Sequence, residues 1–108
     1  MAKDAEKHAI CPVVKTLNII GKKWAVLIIR DLLTGTKRFG QLAASLEGIS
    51  PRTLSARLGE LEKSGVIRKK IYAEVPLHVE YSLTKRGDEL HDILDQMSKW
   101  GAAEPGEC

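Results

Sequence analysis

The chain has 108 residues and a formal net charge of +3, with 44% hydrophobic and 29% charged residues. This length predicts one domain with a modest core, and the composition excludes extended disorder. No apolar stretch approaches the roughly 20 residues that cross a bilayer, and the charged N-terminus lacks the apolar segment of a signal peptide. We therefore expect a cytoplasmic protein without a membrane partner. Two cysteines, Cys11 and Cys108, are too few for a disulfide framework.

The charged residues are unevenly distributed. Residues 37–70 contain eight basic and three acidic side chains, a local charge of +5, so the rest of the chain carries −2. Such an excess is typical of a surface that faces a polyanion, although a solvated charged face has the same composition. The charge distribution therefore needs support from the predicted structure.

The N-terminal part predicts a flexible arm over residues 1–11, followed by two helices. Pro12 suits the first position of a helix, and apolar residues recur at helical spacing until Gly21, where we predict a left-handed cap. A second helix is predicted from about residue 23 to residue 34, where an apolar side ends before a glycine.

A helix-turn-helix is predicted over residues 39–64. A short helix over residues 39–46 leads into a three-residue turn that contains a glycine, as is common in this motif. Ser50 and Pro51 are a strong helix start, because the hydroxyl can cap free N–H groups and proline suits the first helical position. The second helix of the motif then runs to residue 64.

A β-hairpin, or wing, is predicted over residues 66–83, because polar and apolar residues alternate on both sides of a proline-containing turn. Thr84 predicts the cap of one last helix over residues 85–100, with a flexible tail over residues 102–108. Strands and helices do not alternate, so a parallel α/β sheet is excluded. We predict a single α+β domain over residues 12–101, mainly helical with a small β-hairpin: a winged helix-turn-helix.

The helix after Ser50 has the pattern of a helix that reads a DNA groove. At about 100° per residue, Leu54, Leu58 and Leu61 face the core, and the opposite side is polar or small. Any exposed amphipathic helix has such a side. The interpretation as a DNA-reading helix therefore depends on the preceding turn, the local charge and the wing. Base contacts concentrate in the N-terminal half of such helices. The predicted DNA-contacting residues of this segment are Ser50, Arg52, Thr53, Ser55 and Ala56.

Basic residues flank this helix at the positions where phosphates lie in such motifs. Contacts to phosphates supply affinity and register but no sequence information. Arg57 has two interpretations, since it can contact a phosphate or pair with Glu60 three residues later. The predicted phosphate contacts are Lys37, Arg38, Lys69 and Lys70.

No metal, cofactor or catalytic site is predicted. His8 and Cys11 have a ligand-like spacing, but no second close pair of ligands accompanies them. The segment from Gly21 to Lys23 lacks the other residues of a phosphate-binding loop, and no nucleophile–base constellation stands out. We therefore expect a protein that is not an enzyme.

Several segments, in order and spacing, resemble the HxlR-type transcriptional regulators, which are relatives of the MarR group. The resemblance runs from about Cys11 to Trp100 and implies a three-helical DNA-binding core with a wing, flanked by N- and C-terminal dimerisation helices. It implies a homodimer that binds a pseudo-palindromic operator in double-stranded DNA. The matching segments are Cys11-Pro12, Ile20–Trp24, Lys37–Phe39, Gly48–Leu54, Arg57–Glu62, Val75-Pro76, Glu80–Thr84 and Gly87.

The resemblance places the dimer interface on the first and last helices. The last helix also carries an apolar stripe that ends in a tryptophan, which suits a partner helix but also suits packing on its own domain. The predicted interface residues are Val13, Leu17, Leu90, Ile93, Leu94, Met97 and Trp100.

Cys11 occupies the position at which several members of the resembled family look like thiol redox or electrophile sensors. The resemblance thus allows an oxidant or small-molecule effector. A cysteine before a helix start, near Lys7 and Lys15, should have its thiolate favoured by the helix dipole and the positive charges. The alternative is an inert cysteine at a helix cap.

A winged helix can also serve protein–protein assembly. Arg52 and the +5 charge of residues 37–70 argue against that role, since neither is required by a protein interface. The sequence therefore favours a sequence-specific DNA-binding transcriptional regulator.

Overall fold

The structure is a computed structural model that describes residues 11–103. The predicted arm and tail lie outside the described residues, apart from Cys11, Ala102 and Ala103. In the described part, six helices accompany one three-stranded antiparallel sheet of order β1-β3-β2. The helices are α1 (Pro12–Ile20), α2 (Lys23–Leu32), α3 (Phe39–Ser45), α4 (Pro51–Lys63), α5 (Lys85–Asp88) and α6 (His91–Ala102). The strands are β1 (Lys37–Arg38), β2 (Ile67–Tyr72) and β3 (His78–Leu83). The predicted fold class, a mainly helical winged helix-turn-helix, is confirmed.

α4 begins where the sequence predicts. Ser50 Oγ accepts a hydrogen bond of 3.1 Å from the Thr53 backbone N–H, and Pro51 occupies the first helical position. The chain leaves the helix at Gly65, whose φ of +80° is a left-handed conformation that favours glycine. Both ends of α4 are therefore set by local sequence.

The core lies where α2, α3 and α4 meet the sheet. Ile28 and Ile29 of α2 are fully buried, and so is Leu42 of α3. α4 contributes the three leucines that the sequence places inward, and truncating a buried leucine to alanine typically costs about 2–5 kcal/mol. These leucines are Leu54, Leu58 and Leu61, none more than 2% exposed.

The predicted wing is present as β2 and β3, and a third strand joins it. β1 pairs with β3 in antiparallel register, with Lys37 opposite Tyr81 and Arg38 opposite Glu80. A strand of two residues is too short to show alternation, so the sequence alone did not indicate it. This pairing ties the beginning of the helix-turn-helix to the wing.

Gly21 differs from its predicted role. Its φ is −75°, a right-handed conformation, so it is not a left-handed cap. A side chain at Gly21 would instead collide with the Leu17 carbonyl oxygen, which accepts a 2.7 Å hydrogen bond from the Gly21 N–H. The glycine therefore fits closely against the preceding turn of α1 rather than supplying a positive φ.

The single predicted helix over residues 85–100 is two helices in the structure. Thr84 caps α5 as predicted, since Thr84 Oγ1 accepts a 3.1 Å hydrogen bond from the Gly87 N–H. After one turn the Leu90 N–H bonds to the Gly87 carbonyl three residues back, and α6 begins at His91. Gly87 packs directly on the backbone of Val66, so α5 is held against the start of the wing.

We predict that Gly87→Ala lowers the free energy of unfolding by about 1–3 kcal/mol, the usual cost of overpacking. A methyl group there would collide with the Val66 carbonyl oxygen, which already accepts a hydrogen bond from the Thr84 N–H. Urea unfolding followed by circular dichroism measures the change.

Gly59→Ala is the matched control. A methyl group at Gly59 meets no atom within 4 Å, and alanine favours the helix interior. We expect this variant to be as stable as the wild type or more stable by up to about 1 kcal/mol. Equal stabilities for the two variants would contradict the close-packing argument.

Candidate nucleic-acid interface

The outward side of α4 is open and carries the central predicted base contacts. Arg52 and Ala56 are exposed on the side opposite the buried leucines, and Ser55 is exposed at the edge of that side. Gly59 extends the same side, and its surroundings are empty. The residues around Arg52 on this side are small, so another molecule can approach the helix backbone closely. The Arg52 guanidinium extends beyond these small side chains.

Ser50 and Thr53 are engaged in the helix start itself. Ser50 Oγ donates to Thr53 Oγ1 over 3.0 Å, while it accepts from the Thr53 N–H. Ser50 is exposed and Thr53 is half-buried. Both hydroxyls therefore position the first turn of α4 as an ordered pair.

Arg57 forms the predicted pair with Glu60. Its Nη1 donates to Glu60 Oε2 over 2.8 Å, and the Lys22 ammonium lies 3.5 Å from Glu60 Oε1. Desolvation raises the pKa of the Glu60 carboxyl, but hydrogen bonds and charges from Arg57 and Lys22 together outweigh it, so the pKa lies below its usual value. The structural interpretation of Arg57 is confirmed; its phosphate contact stays a prediction. Lys22 had no signal in the sequence, because only the fold brings it to α4.

Lys37 and Arg38 lie on β1, directly before α3. The Lys37 ammonium donates a 2.6 Å hydrogen bond to Thr34 Oγ1. This bond directs the Lys37 side chain toward the residue three positions earlier. Arg38 is exposed, and its backbone N–H is bonded to the side chain of Gln41. Of the two, Arg38 presents the more accessible charge at the entrance to the motif.

Lys69 and Lys70 do not form one patch. Both are exposed, but successive residues of a strand point to opposite faces of the sheet, so Lys69 and Lys70 lie on different faces of the wing. The Lys70 ammonium lies 5.0 Å from the centroid of the Tyr72 ring. Arg68 is exposed on the same face as Lys70 and was not among the predicted contacts, although alternation along the strand could have indicated it.

The predicted interface residues fall into two groups that differ in burial. Leu90 and Leu94 are half-buried and pack against the core of their own chain. The others are exposed, Trp100 to 78%, and no residue of α6 is buried. The exposed members are Val13, Leu17, Ile93, Met97 and Trp100.

Cys11 is exposed at the N-terminus of α1, where its carbonyl accepts a 3.0 Å hydrogen bond from the Lys15 N–H. Lys7, His8 and Cys108 lie outside the described residues. Between Cys11 and Ala103, no group of three or more His, Cys, Asp or Glu side chains could hold a metal ion. None of the helices in this range is long and apolar enough to cross a membrane.

Comparison with known proteins gives consistent results. The model of the HxlR-like helix-turn-helix family matches residues 19–107. An uncharacterized HTH-type transcriptional regulator of Synechocystis is 43% identical over 97 residues, which cover 90% of this chain and 72% of that protein. These similarities extend over nearly all of the described residues.

Two solved regulators share the fold. The redox regulator HypR in its oxidized form superimposes with a TM-score of 0.83 at 38% identity, over 90% of this chain and all of that one. The reduced form of the transcriptional regulator YodB from Bacillus subtilis has a TM-score of 0.79 at 33% identity, over 92% of this chain and all of its own. The chain belongs to the HxlR-like helix-turn-helix family and is a transcriptional regulator of the helix-turn-helix type.

Proposed function

We propose that the protein works in the cytoplasm as a homodimer on a pseudo-palindromic operator, with one α4 in the major groove at each half-site. The observation that carries this proposal is the orientation of α4. Its leucine side is locked into the core, so Arg52, Ser55 and Ala56 point outward. The relatives are transcriptional regulators, and we propose a role that needs neither catalysis nor a cofactor.

Sequence recognition is assigned to the first turn and a half of α4. An arginine can bind guanine O6 and N7 with two parallel hydrogen bonds, and an alanine methyl can contact the methyl group of thymine. Ser55 can donate to or accept from a base edge. Arg38 and the lysines of the wing would contact phosphates, and the cations on both faces of the wing suit a ribbon bordered by two DNA strands.

We predict that Arg52→Ala weakens binding to the operator by about 1–3 kcal/mol, or roughly 5- to 150-fold, because a bidentate base contact is lost. The protein is titrated by fluorescence anisotropy against the DNA upstream of its own gene and against a duplex of the same composition in shuffled order. Binding to the shuffled duplex should change much less.

Arg30→Ala is the matched control, since Arg30 is exposed on α2, outside the proposed contacts. We expect operator affinity near that of the wild type. Equal losses for Arg52→Ala and Arg30→Ala would refute the assignment of base reading to α4.

Lys69→Ala should weaken binding to both duplexes alike and reduce the salt slope by about 1, as loss of a phosphate contact does.

Dimerisation is proposed through the exposed apolar residues of α1 and α6. Trp100, Met97 and Ile93 are exposed on a helix that has no fully buried residue in its own chain. Large apolar side chains in such numbers are unusual on a free surface and typical of an interface. Leu90 and Leu94 would support this interface from beneath, since they pack on their own core.

Trp100→Ala should raise the dissociation constant of the dimer by roughly 30-fold or more, the effect of losing a tryptophan hot spot of about 2 kcal/mol. Sedimentation equilibrium over a range of concentrations measures it. Val75→Ala is the control, because Val75 is 99% exposed but lies on the wing. A dimer that is equally stable in both variants would exclude α6 from the interface.

A thiol response through Cys11 is proposed from its position together with the relatives. HypR is named a redox regulator. In this chain the thiol is exposed at the start of α1, next to the proposed interface residue Val13. Oxidation or alkylation there would change how the two α1 helices pack and hence the spacing of the two α4 helices.

We expect diamide or an electrophile to change the operator affinity of the wild type by at least about fivefold, the lower range of allosteric coupling, and to leave Cys11→Ser unchanged. Cys108→Ser is the matched control and should keep the response. A full response in Cys11→Ser would show that Cys11 is inert. Binding of untreated Cys11→Ser should equal that of the untreated wild type.

A role in protein–protein assembly is the second candidate, and one observation favours it. The tip of the wing exposes Val75 and Leu77, which carry no charge for a phosphate. If the protein binds neither duplex at low salt, this candidate replaces the DNA-binding role.

A further inference from the structure

Glu60 holds two cations at once, from two different elements. One carboxylate oxygen, Oε2, accepts a 2.8 Å hydrogen bond from Arg57 of its own helix. The other, Oε1, lies 3.5 Å from the ammonium of Lys22, which is the N-cap residue of α2. The network therefore joins α4 to the beginning of α2 through a single side chain.

This network borders the outward side of α4. At about 100° per residue, Glu60 lies between Ala56, on the proposed DNA side, and Arg57, at the edge of the leucine side. The side chains of Glu60 and Lys22 are about half exposed, whereas that of Arg57 is 23% exposed. Arg52 makes no ion pair within residues 11–103 and stands outside the network.

Stability does not account for the arrangement. Exposed ion pairs contribute little to folding, because water and salt screen them. α4 is already held by its three buried leucines and by the Ser50 cap. One helical pair with Arg57 would also suffice for α4, yet the carboxylate holds a second cation from outside the helix.

We propose that Glu60 is a positioning residue, which withholds Arg57 and Lys22 from DNA phosphates and so lowers the sequence-independent affinity for DNA. The proposal rests on the DNA-binding role of α4 set out above. Binding to arbitrary sequences comes almost entirely from cations that displace counterions from phosphates. A cation already neutralised by a carboxylate gains less from that exchange, and the carboxylate itself repels phosphate. The base contacts of Arg52 are unaffected, so sequence preference stays with Arg52 while Glu60 sets part of the sequence-independent affinity.

The test is Glu60→Gln, which keeps the shape of the side chain and removes its charge. On the shuffled duplex, we expect the slope of log K against log salt to steepen by about 1–2, because one or two cations become available. Affinity for this duplex at low salt should rise by at least about threefold, and affinity for the operator should rise alike, because both duplexes offer the same phosphates. Thermal melting verifies that the variant is folded.

Glu62→Gln is the matched control, since it removes the same charge from the same helix. Glu62 is exposed, and among residues 11–103 it makes no ion pair. We expect its slope to stay close to that of the wild type. The double variant Arg57→Gln/Glu60→Gln should lose about one unit of the gained slope, because one of the released cations is gone.

Equal slopes of log K against log salt for Glu60→Gln and Glu62→Gln would overturn the proposal. Glu60 would then act only through its contribution to the net charge of α4. That failure is distinguishable from failure of the DNA-binding role. If α4 does not bind DNA, the wild type itself shows no salt-dependent binding to either duplex. If only the Glu60 proposal fails, the wild type binds and Arg52→Ala still weakens operator binding.

Discussion

Burial of three leucines on one side of α4 is the constraint on which the rest of the structure depends. Leu54, Leu58 and Leu61 contact the core formed by α2, α3 and the sheet, and they fix the rotation of the helix about its own axis. A rotation of one residue, about 100°, would bury polar groups and expose leucines, so no other orientation is tolerated. The outward direction of Arg52 follows from apolar packing rather than from any contact of Arg52 itself.

The backbone contacts behind α4 hold the wing to the same frame. The Val66 carbonyl accepts from the Thr84 N–H, Thr84 Oγ1 donates to the Gly65 carbonyl, and Gly87 packs against the same backbone. The end of α4, the start of the wing and the start of α5 thus meet within a few residues. β1 adds the far side of the sheet to this frame, so the basic residues before α3 and those of the wing keep fixed positions relative to α4.

The exposed apolar residues and the charges divide the molecule between two kinds of partner. α1 and α6 expose valine, leucine, methionine and tryptophan side chains, which suit another apolar surface. α4 and the sheet expose arginine and lysine, which suit a polyanion. Ion pairs moderate this attraction, because the Glu60 carboxylate holds Arg57 of α4 and Lys22 at the beginning of α2. Affinity and selectivity for DNA are then separate properties of neighbouring side chains.

Local sequence determined the elements whose signals are local: the Ser50 and Thr84 caps, the leucine side of α4, the wing and the pairing of Arg57 with Glu60 three residues away. Such features depend on residues within one or two helical turns, or on strict alternation, and the chain itself displays them. The winged helix-turn-helix and the central residues of the outward side of α4 could therefore be predicted.

Only the tertiary structure decided the features that join distant segments. The two-residue strand β1 exists because β3 offers hydrogen bonds to it, and the last helical segment is divided into α5, which packs through Gly87 on the backbone of Val66, and α6. Leu90 and Leu94 turn toward their own core, while their neighbours on the same stripe stay exposed. Lys22 reaches Glu60 across 38 positions of the chain, a contact that no periodicity could reveal. The outward side of α4 was thus determined by the sequence, whereas the cations held beside it were placed by the fold, because periodicity reports only neighbours along the chain.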